Sequence, residues 1–188
     1  MPSSLRLAGP SDAGAVSEIY APLVRETPVS FETVPPTPDE MAERIAKTLE
    51  THPWLVCEEA GEVRGYAYAS PHRVRAAYVW SVDATVYVRP DARRSGMGRR
   101  LYVALFEILR HQGFLTAFAG ITLPNPASVG LHEAMGFRPV GVYRNVGYKA
   151  GAWHDVGWWG LPLGEPEPDP APPVPLREFG DLDAILSL

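Results

Sequence analysis

Polar and apolar residues alternate in some stretches of this chain, while in others apolar residues recur every third or fourth position. The two rhythms divide the chain into elements. Residues 4–8 alternate and predict a short first strand. Ser11 and Asp12 then precede a helical stripe through Val16, Ile19 and Leu23, expected to be disturbed near Pro22. The stretch from Thr27 to Pro36 has neither rhythm and reads as a loop carrying an isolated Phe31. Thr37-Pro38-Asp39-Glu40 is a helix start, with Thr at the cap, Pro in the first turn and Glu placed to complete a capping box. Met41, Ile45 and Leu49 continue that helix on one face.

Strand signals follow. Trp54 to Glu58 and Val63 to Ala69 flank Glu59-Ala60-Gly61-Glu62, which predicts a hairpin. After a loop with Pro71 and His72, the run from Tyr78 to Val88 predicts a long strand. Its alternation places Val82, Ala84, Val86 and Val88 on one face and Ser81, Asp83, Thr85 and Tyr87 on the other. A helix is expected from about Gly98, with Leu101, Leu105 and Leu109 in a stripe beside Tyr102 and Phe106, stopping at Gly113. Phe114 to Leu123 predicts another strand, and Asn125-Pro126 opens a short helix ending at Gly136. Two late strands are expected near Pro139 to Tyr143 and Asp155 to Leu161. From residue 164 prolines dominate, so 164–188 reads as an extended tail, with a short docking helix at Leu182 to Leu188. The hairpin is antiparallel and the later crossovers contain helices, which fits one α/β domain with a mixed central sheet.

Composition narrows the function. A net charge of -5 argues against a nucleic-acid partner. The apolar runs are too short for a membrane span and the N-terminus lacks a signal-peptide layout, so the expectation is a cytoplasmic protein. One cysteine, Cys57, excludes an intramolecular disulfide and sits in an apolar run, as a buried structural thiol would. No His-Glu-x-x-His pattern or other metal spacing occurs among the histidines, so no metal is expected.

Against this acidic background, residues 89–102 (RPDARRSGMGRRLY) hold five arginines and two glycines. A Walker loop is excluded because its spacing and lysine are missing; a dinucleotide fingerprint fails because Leu101 replaces its third glycine. What remains is R-x-x-G-x-G, from Arg93 to Gly98, running into a helix. Its glycines let backbone amides approach a ligand, and the helix start attracts an anion. Arg99 and Arg100 disfavour the helix dipole there, a cost that a bound anion offsets. A solvated basic loop is the alternative.

The run from Val86 to Gly98 resembles the acetyl-CoA pyrophosphate loop of the GNAT superfamily of N-acetyltransferases. Leu123-Pro-Asn-Pro-Ala-Ser128 and Leu131 to Phe137 are similar to that family's second cofactor segment. Gly141 to Val156 resembles the phosphinothricin and methionine sulfoximine N-acetyltransferase branch. The likeness spans roughly residues 4 to 163, making 1–163 the expected transferase domain. It implies a mixed, mostly antiparallel sheet flanked by about four helices, and direct acetyl transfer from acetyl-CoA to a small amino-acid-like amine. The donor would be held by Arg93, Arg94, Ser95, Gly96, Met97, Gly98 and Arg99, with the backbone of Val86, Tyr87 and Val88 pairing the pantetheine arm. Family analogy adds a bulge in that strand.

The branch carries a glutamate where this chain has Asp83. As the expected base, Asp83 is one methylene shorter, which favours a bridging water; a solvated carboxylate or an arginine partner is the alternative reading. His132 stands where many relatives have a tyrosine that protonates the leaving thiolate; it could instead assist deprotonation, or simply pack its helix. Asn125 and Ser128 are donor contacts by analogy, though Asn125 also suits a helix cap. Arg75, Tyr78 and Phe31 correspond to acceptor contacts, an arginine fork being suited to a carboxylate or phosphinate. Lys149, Trp153 and Asp155 match the branch but also suit hairpin architecture or a dimer contact. A homodimer is the family expectation. The competing readings are an acetyltransferase for another amine or a protein N-terminus, and a CoA-binding module without catalysis.

Overall fold

The computed structural model describes residues 3–180 and 182–186. Seven strands form one sheet: β1 Ser4–Leu7, β2 Trp54–Glu59, β3 Glu62–Pro71, β4 Ser81–Val88, β5 Thr116–Leu123, β6 Arg138–Lys149 and β7 Ala152–Pro162, in the spatial order β1-β2-β3-β4-β5-β7-β6. Every neighbouring pair is antiparallel except β4 and β5. Among the described residues five α-helices accompany it: α1 Ala13–Glu26, α2 Pro38–Leu49, α3 Met97–Gln112, α4 Pro126–Ala134 and the short α5 Asp183–Leu186.

Alternation along the strands sorts the side chains into two cores. Trp54, Val56 and Tyr66 pack on one face against Val16, Ile19 and Val24 of α1 and Met41 and Ile45 of α2. Leu55, Cys57, Ala67, Ala69, Val82 and Ala84 pack on the other face against α3. There Leu101, Leu105 and Leu109 are completely buried, each contributing about 1.5–3 kcal/mol by leaving water. The capping box at Thr37 and Glu40 is present, Thr37 Oγ1 accepting from the Glu40 N–H at 3.2 Å. Gly113, with φ 91°, ends α3 in the left-handed region that a side chain resists.

Four expectations differ from the structure, two of them element boundaries. The strand expected from Tyr78 begins at Ser81, because Ala76–Tyr78 form a 3-10 turn closed by Tyr78 N–H to the Arg75 carbonyl. The late strands extend into a long hairpin, since Ala150 and Gly151 both have positive φ (51° and 80°) and make the tight turn that matches strand twist. Helix α1 continues through Pro22 to Glu26, with Pro22 on the exposed side. No bulge interrupts β4: its register against β3 is unbroken from Gly65↔Val88 to Pro71↔Val82.

The proline-rich tail lies against the body. Val174 N–H donates to the Gln112 carbonyl at 2.7 Å, and Gln112 Nε2 returns a bond to the Val174 carbonyl at 2.7 Å. Trp80 Nε1 donates to the Ala171 carbonyl at 2.9 Å, and Leu176 is buried. Prolines suit such docking because their fixed φ leaves less chain entropy to lose. Of the expected terminal helix, residues 183–186 are helical and Ile185 is buried; residues 187 and 188 lie outside the described residues.

Candidate active site

Strands β4 and β5 pair in parallel only through Ser81↔Thr116, Val82↔Ala117 and Asp83↔Phe118. Beyond Asp83 each remains bonded to its outer neighbour, β4 to β3 and β5 to β7, but not to the other. The centre of the sheet therefore opens into a wedge, exposing an unpaired strand edge inside the fold. A cavity of about 70 Å³ occupies the opening, lined by Ala84 to Tyr87, by Ala119 to Thr122, and by Val29, Tyr102, Asn125, Ser128 and His132. A free edge in a cleft is suited to an extended amide-bearing ligand, which can pair as an added strand.

The arginine-glycine loop follows β4. Arg94 and Gly96 both have positive φ (60° and 85°); Gly96 at the N-cap of α3 has no side chain to cap the helix, and Ser95 Oγ accepts from the Met97 N–H at 3.4 Å. Gly98 faces α4 closely: a Cβ there would lie 3.3 Å from Leu131 Cδ2. Ser95 Oγ donates to the Ala92 carbonyl at 2.7 Å and braces the turn. Met97 is buried and anchors the loop to the core.

The five arginines of the stretch divide into two groups. Arg100 donates to Ser3, and Arg89 faces Asp91 at 3.5 Å, so these two serve the fold. Arg93, Arg94 and Arg99 are exposed and have no acidic partner among the described residues. Three guanidiniums without an acidic partner surround a helix N-terminus, itself worth about half a positive charge, and form a site for a multiply charged anion.

At the closed end of the wedge, Asp83 Oδ1 lies 2.6 Å from His72 Nδ1. Burial raises the Asp83 carboxyl above the ordinary carboxylate value, while the His72 bond pulls it back down. His132 is buried on the wedge floor, with Nδ1 2.7 Å from the Ser128 carbonyl and Nε2 2.9 Å from Tyr102 Oη. A carbonyl only accepts, so Nδ1 carries the proton and Nε2 accepts from the tyrosine hydroxyl. Burial lowers the pKa of His132 and raises that of Tyr102, so both groups are neutral. The Tyr102 hydroxyl lines the cavity, and its single proton is engaged by His132 Nε2, so it can turn that proton to a ligand only by giving up the His132 bond. Asn125 caps α4, its Oδ1 accepting from the Ser128 N–H at 3.2 Å, and also lines the cavity.

The residues matched to acceptor binding are spread more widely. Phe31 lies against Gly147 of the late hairpin so closely that no Cβ fits there, and Lys149 Nζ donates to the Ser30 carbonyl at 2.6 Å. The 27–36 loop is thereby docked on the β6–β7 hairpin. Arg75 and Tyr78 line a second pocket of about 470 Å³, whose far wall is Pro173, Val174 and Pro175 of the tail. Tyr78 also approaches His72, with ring centroids 6.1 Å apart. Asp155 is used within the hairpin, accepting from Arg144 at 3.2 Å and from the Asn145 N–H at 2.8 Å. Among the described residues no cluster of three metal-ligating side chains occurs, and no helix is long and apolar enough to cross a membrane.

Sequence reasoning placed Tyr102 only on a core stripe and considered His72 only as a metal ligand. Both belong to the wedge. For Tyr102 the available signal was a hydroxyl in an otherwise apolar stripe, since a buried tyrosine oxygen needs a partner. For His72 it was parity: continued alternation past Pro71 puts it on the face of Ser70, diagonal to Asp83.

Comparison with known proteins agrees with this geometry. The acetyltransferase (GNAT) domain family matches residues 5–158. The chain is 42% identical over 176 residues to a phosphinothricin N-acetyltransferase of Streptomyces viridochromogenes, covering 94% of both proteins. It is 36% identical over 168 residues to an L-methionine sulfoximine/L-methionine sulfone acetyltransferase of Pseudomonas aeruginosa, covering 87% of this chain and 96% of the relative. The structure of a GNAT superfamily phosphinothricin acetyltransferase from Sinorhizobium meliloti in complex with acetyl-CoA matches with a TM-score of 0.85 at 34% identity, over 94% of this chain and 100% of that one. The family match over most of the chain and the likeness in sequence and fold show that the chain belongs to the GNAT acetyltransferase family.

Proposed function

We infer that the protein transfers acetyl from acetyl-CoA to the amine of a small amino-acid-like acceptor of the phosphinothricin or methionine sulfoximine type. One observation carries the reading: three arginines without an acidic partner and a helix start stand at one end of the wedge, and a carboxylate stands at the other. Arg93, Arg94, Arg99 and the amides of Ser95 to Gly98 hold the pyrophosphate. The free edge of Val86, Tyr87 and Val88 pairs the pantetheine amides, and Asn125 and Ser128 border the same channel. Acetyl-CoA supplies an activated thioester. Asp83 receives a proton from the acceptor ammonium, directly or through water, because an amine near its ordinary pKa is mostly cationic and cannot attack. As the thiolate forms, the Tyr102 hydroxyl turns its single proton from His132 Nε2 to the departing sulfur, and its raised pKa means that the proton is shared in a hydrogen bond and not given up.

Arg75, Tyr78 and Phe31 provide a carboxylate fork and aromatic walls for the acceptor, a reading supported by the substrates named for the relatives. The catalytic unit is residues 1–163, and the described part of the tail that follows braces it. The protein acts in the cytoplasm as a homodimer. The dimer is supported by the exposed Val140, Val142, Tyr143, Val146, Tyr148 and Trp153 on the β6–β7 hairpin, a patch that a lone subunit would leave in water.

The test is thiol release. Purified protein with acetyl-CoA is offered phosphinothricin, methionine sulfoximine, methionine and an N-terminal peptide. Release is expected with the first two at the highest kcat/KM. Tight CoA binding without release on any amine would sink the enzymatic reading, and a preference for the peptide would redirect the acceptor class.

A further inference from the structure

The Asp83 carboxylate has a close neighbour in the structure. His72 immediately follows β3, and its backbone N–H bonds the Ser81 carbonyl at 3.2 Å, which aims the side chain toward Asp83. Its ring is clamped: it stacks on Phe118 at 4.4 Å and meets the edge of Trp158 at 5.7 Å. The His72 side chain is 11% exposed and that of Asp83 29%, so the imidazole lies behind the carboxylate rather than in front of it. An ionised carboxylate only accepts, so at 2.6 Å His72 Nδ1–H is the donor and Asp83 Oδ1 the acceptor.

We propose that His72 is the positioning residue of the Asp83 base: its Nδ1–H pins Oδ1 and leaves Oδ2 to meet the acceptor ammonium or its bridging water. The proposal rests on the acetyltransferase reading above. Asp83 takes one proton from the ammonium and becomes a neutral carboxyl while His72 keeps its own proton. The C–N bond then forms as the thioester C–S bond breaks, the second nitrogen proton leaves with the sulfur as a thiol, and Asp83 returns its proton to water. The charged and titratable groups facing the pair are few. Arg73 is the nearest charge: its Nη1 donates to the His72 carbonyl at 2.6 Å and lies 3.4 Å from His72 Nδ1, its guanidinium lies over Trp158 at 5.4 Å, and Tyr78 stands edge-on. Strands β5 and β7 contribute only the uncharged Phe118 and Trp158.

This arrangement predicts a signature beyond lost packing. The His72 bond favours the ionised carboxylate and opposes burial, so its removal leaves burial opposed only by the Arg73 charge. His72→Phe retains an aromatic ring in the stack but has no donor. Its acid limb of kcat/KM is expected to move to higher pH, with about a tenfold loss near neutrality that closes at alkaline pH. His72→Asn places an amide N–H near the position of Nδ1 and is expected to return the limb toward that of the wild type. The acetyl-CoA Kd should be unchanged in both, since the donor loop lies at the other end of β4.

A limb that stays in place while the plateau falls would reduce His72 to packing and overturn the proposal. A limb that moves to lower pH would make the imidazole itself the titrating base and overturn it equally. If the wild type acetylates no amine, the acetyltransferase reading fails and takes this one with it. Wild-type turnover with an unmoved limb in His72→Phe defeats only the role of His72.

Discussion

The two ends of the wedge are built in opposite ways. The donor end is contiguous in the chain: Val86 to Arg99 supplies strand edge, turn, glycines, helix start and all three arginines without an acidic partner. The end proposed for the acceptor is assembled from separate segments, with His72 and Tyr78 from the connection after β3 and Asp83 from β4. The donor is a constant ligand recognised by backbone amides and point charges, a task that one local motif can perform. The acceptor varies, and a site of separate segments can change one wall without disturbing the others.

Three substitutions probe that contrast. The largest effect is expected for Asp83→Ala, which should lower kcat by about 10²–10⁴-fold near neutral pH while leaving the acetyl-CoA Kd unchanged. Because burial raises the carboxyl above its usual value, the wild-type acid limb should lie above that of a free aspartate, and the variant should recover as the amine deprotonates in alkali. A pH–rate profile reads both. A parallel loss of donor affinity would show that the two ends are not independent.

Replacing Arg93, Arg94 and Arg99 together by alanine should act in the opposite sense. Donor KM is expected to rise by about 10²-fold with little change in kcat, since each charge-assisted bond is worth about 1.5–3 kcal/mol before solvent screening at these exposed positions. The salt dependence of donor binding should flatten as the charges go. A comparable loss from Arg89→Ala would erase the division between structural and ligand-directed arginines.

The smallest effect is expected at Tyr102→Phe, about tenfold in kcat with donor affinity retained. The change also leaves His132 Nε2 without its donor in a buried place, a stability cost of about 1–3 kcal/mol. Thermal unfolding beside the kinetics separates the two consequences. Unchanged kcat with lowered stability would leave the pair a structural bond beneath the wedge.

How much of this was legible follows from the range of the interactions. The cap at Thr37, the stop at Gly113 and the helix stripe of Leu101, Leu105 and Leu109 depend on residues within a turn or two, and each was readable from spacing. The two faces of β4 were equally readable, since a period of two is a property of one strand. The late hairpin was underestimated because its exposed polar and glycine positions weaken the alternation signal, and the Ala150-Gly151 turn joins strands that gain most of their stability from pairing.

The sequence by itself determined the donor: a strand, a glycine turn, surplus arginines and a helix start are contiguous, and their chemistry adds up wherever the segment lies in the fold. Only the tertiary structure decided which arginines are free, because pairing Arg100 to Ser3 requires β1 beside α3. It also decided what surrounds the base. The His72–Asp83 contact depends on the register of two antiparallel strands, and the wedge depends on β5 leaving β4 after three residue pairs. Register and divergence are set by the whole sheet and its two cores, so no local spacing in the chain encodes them.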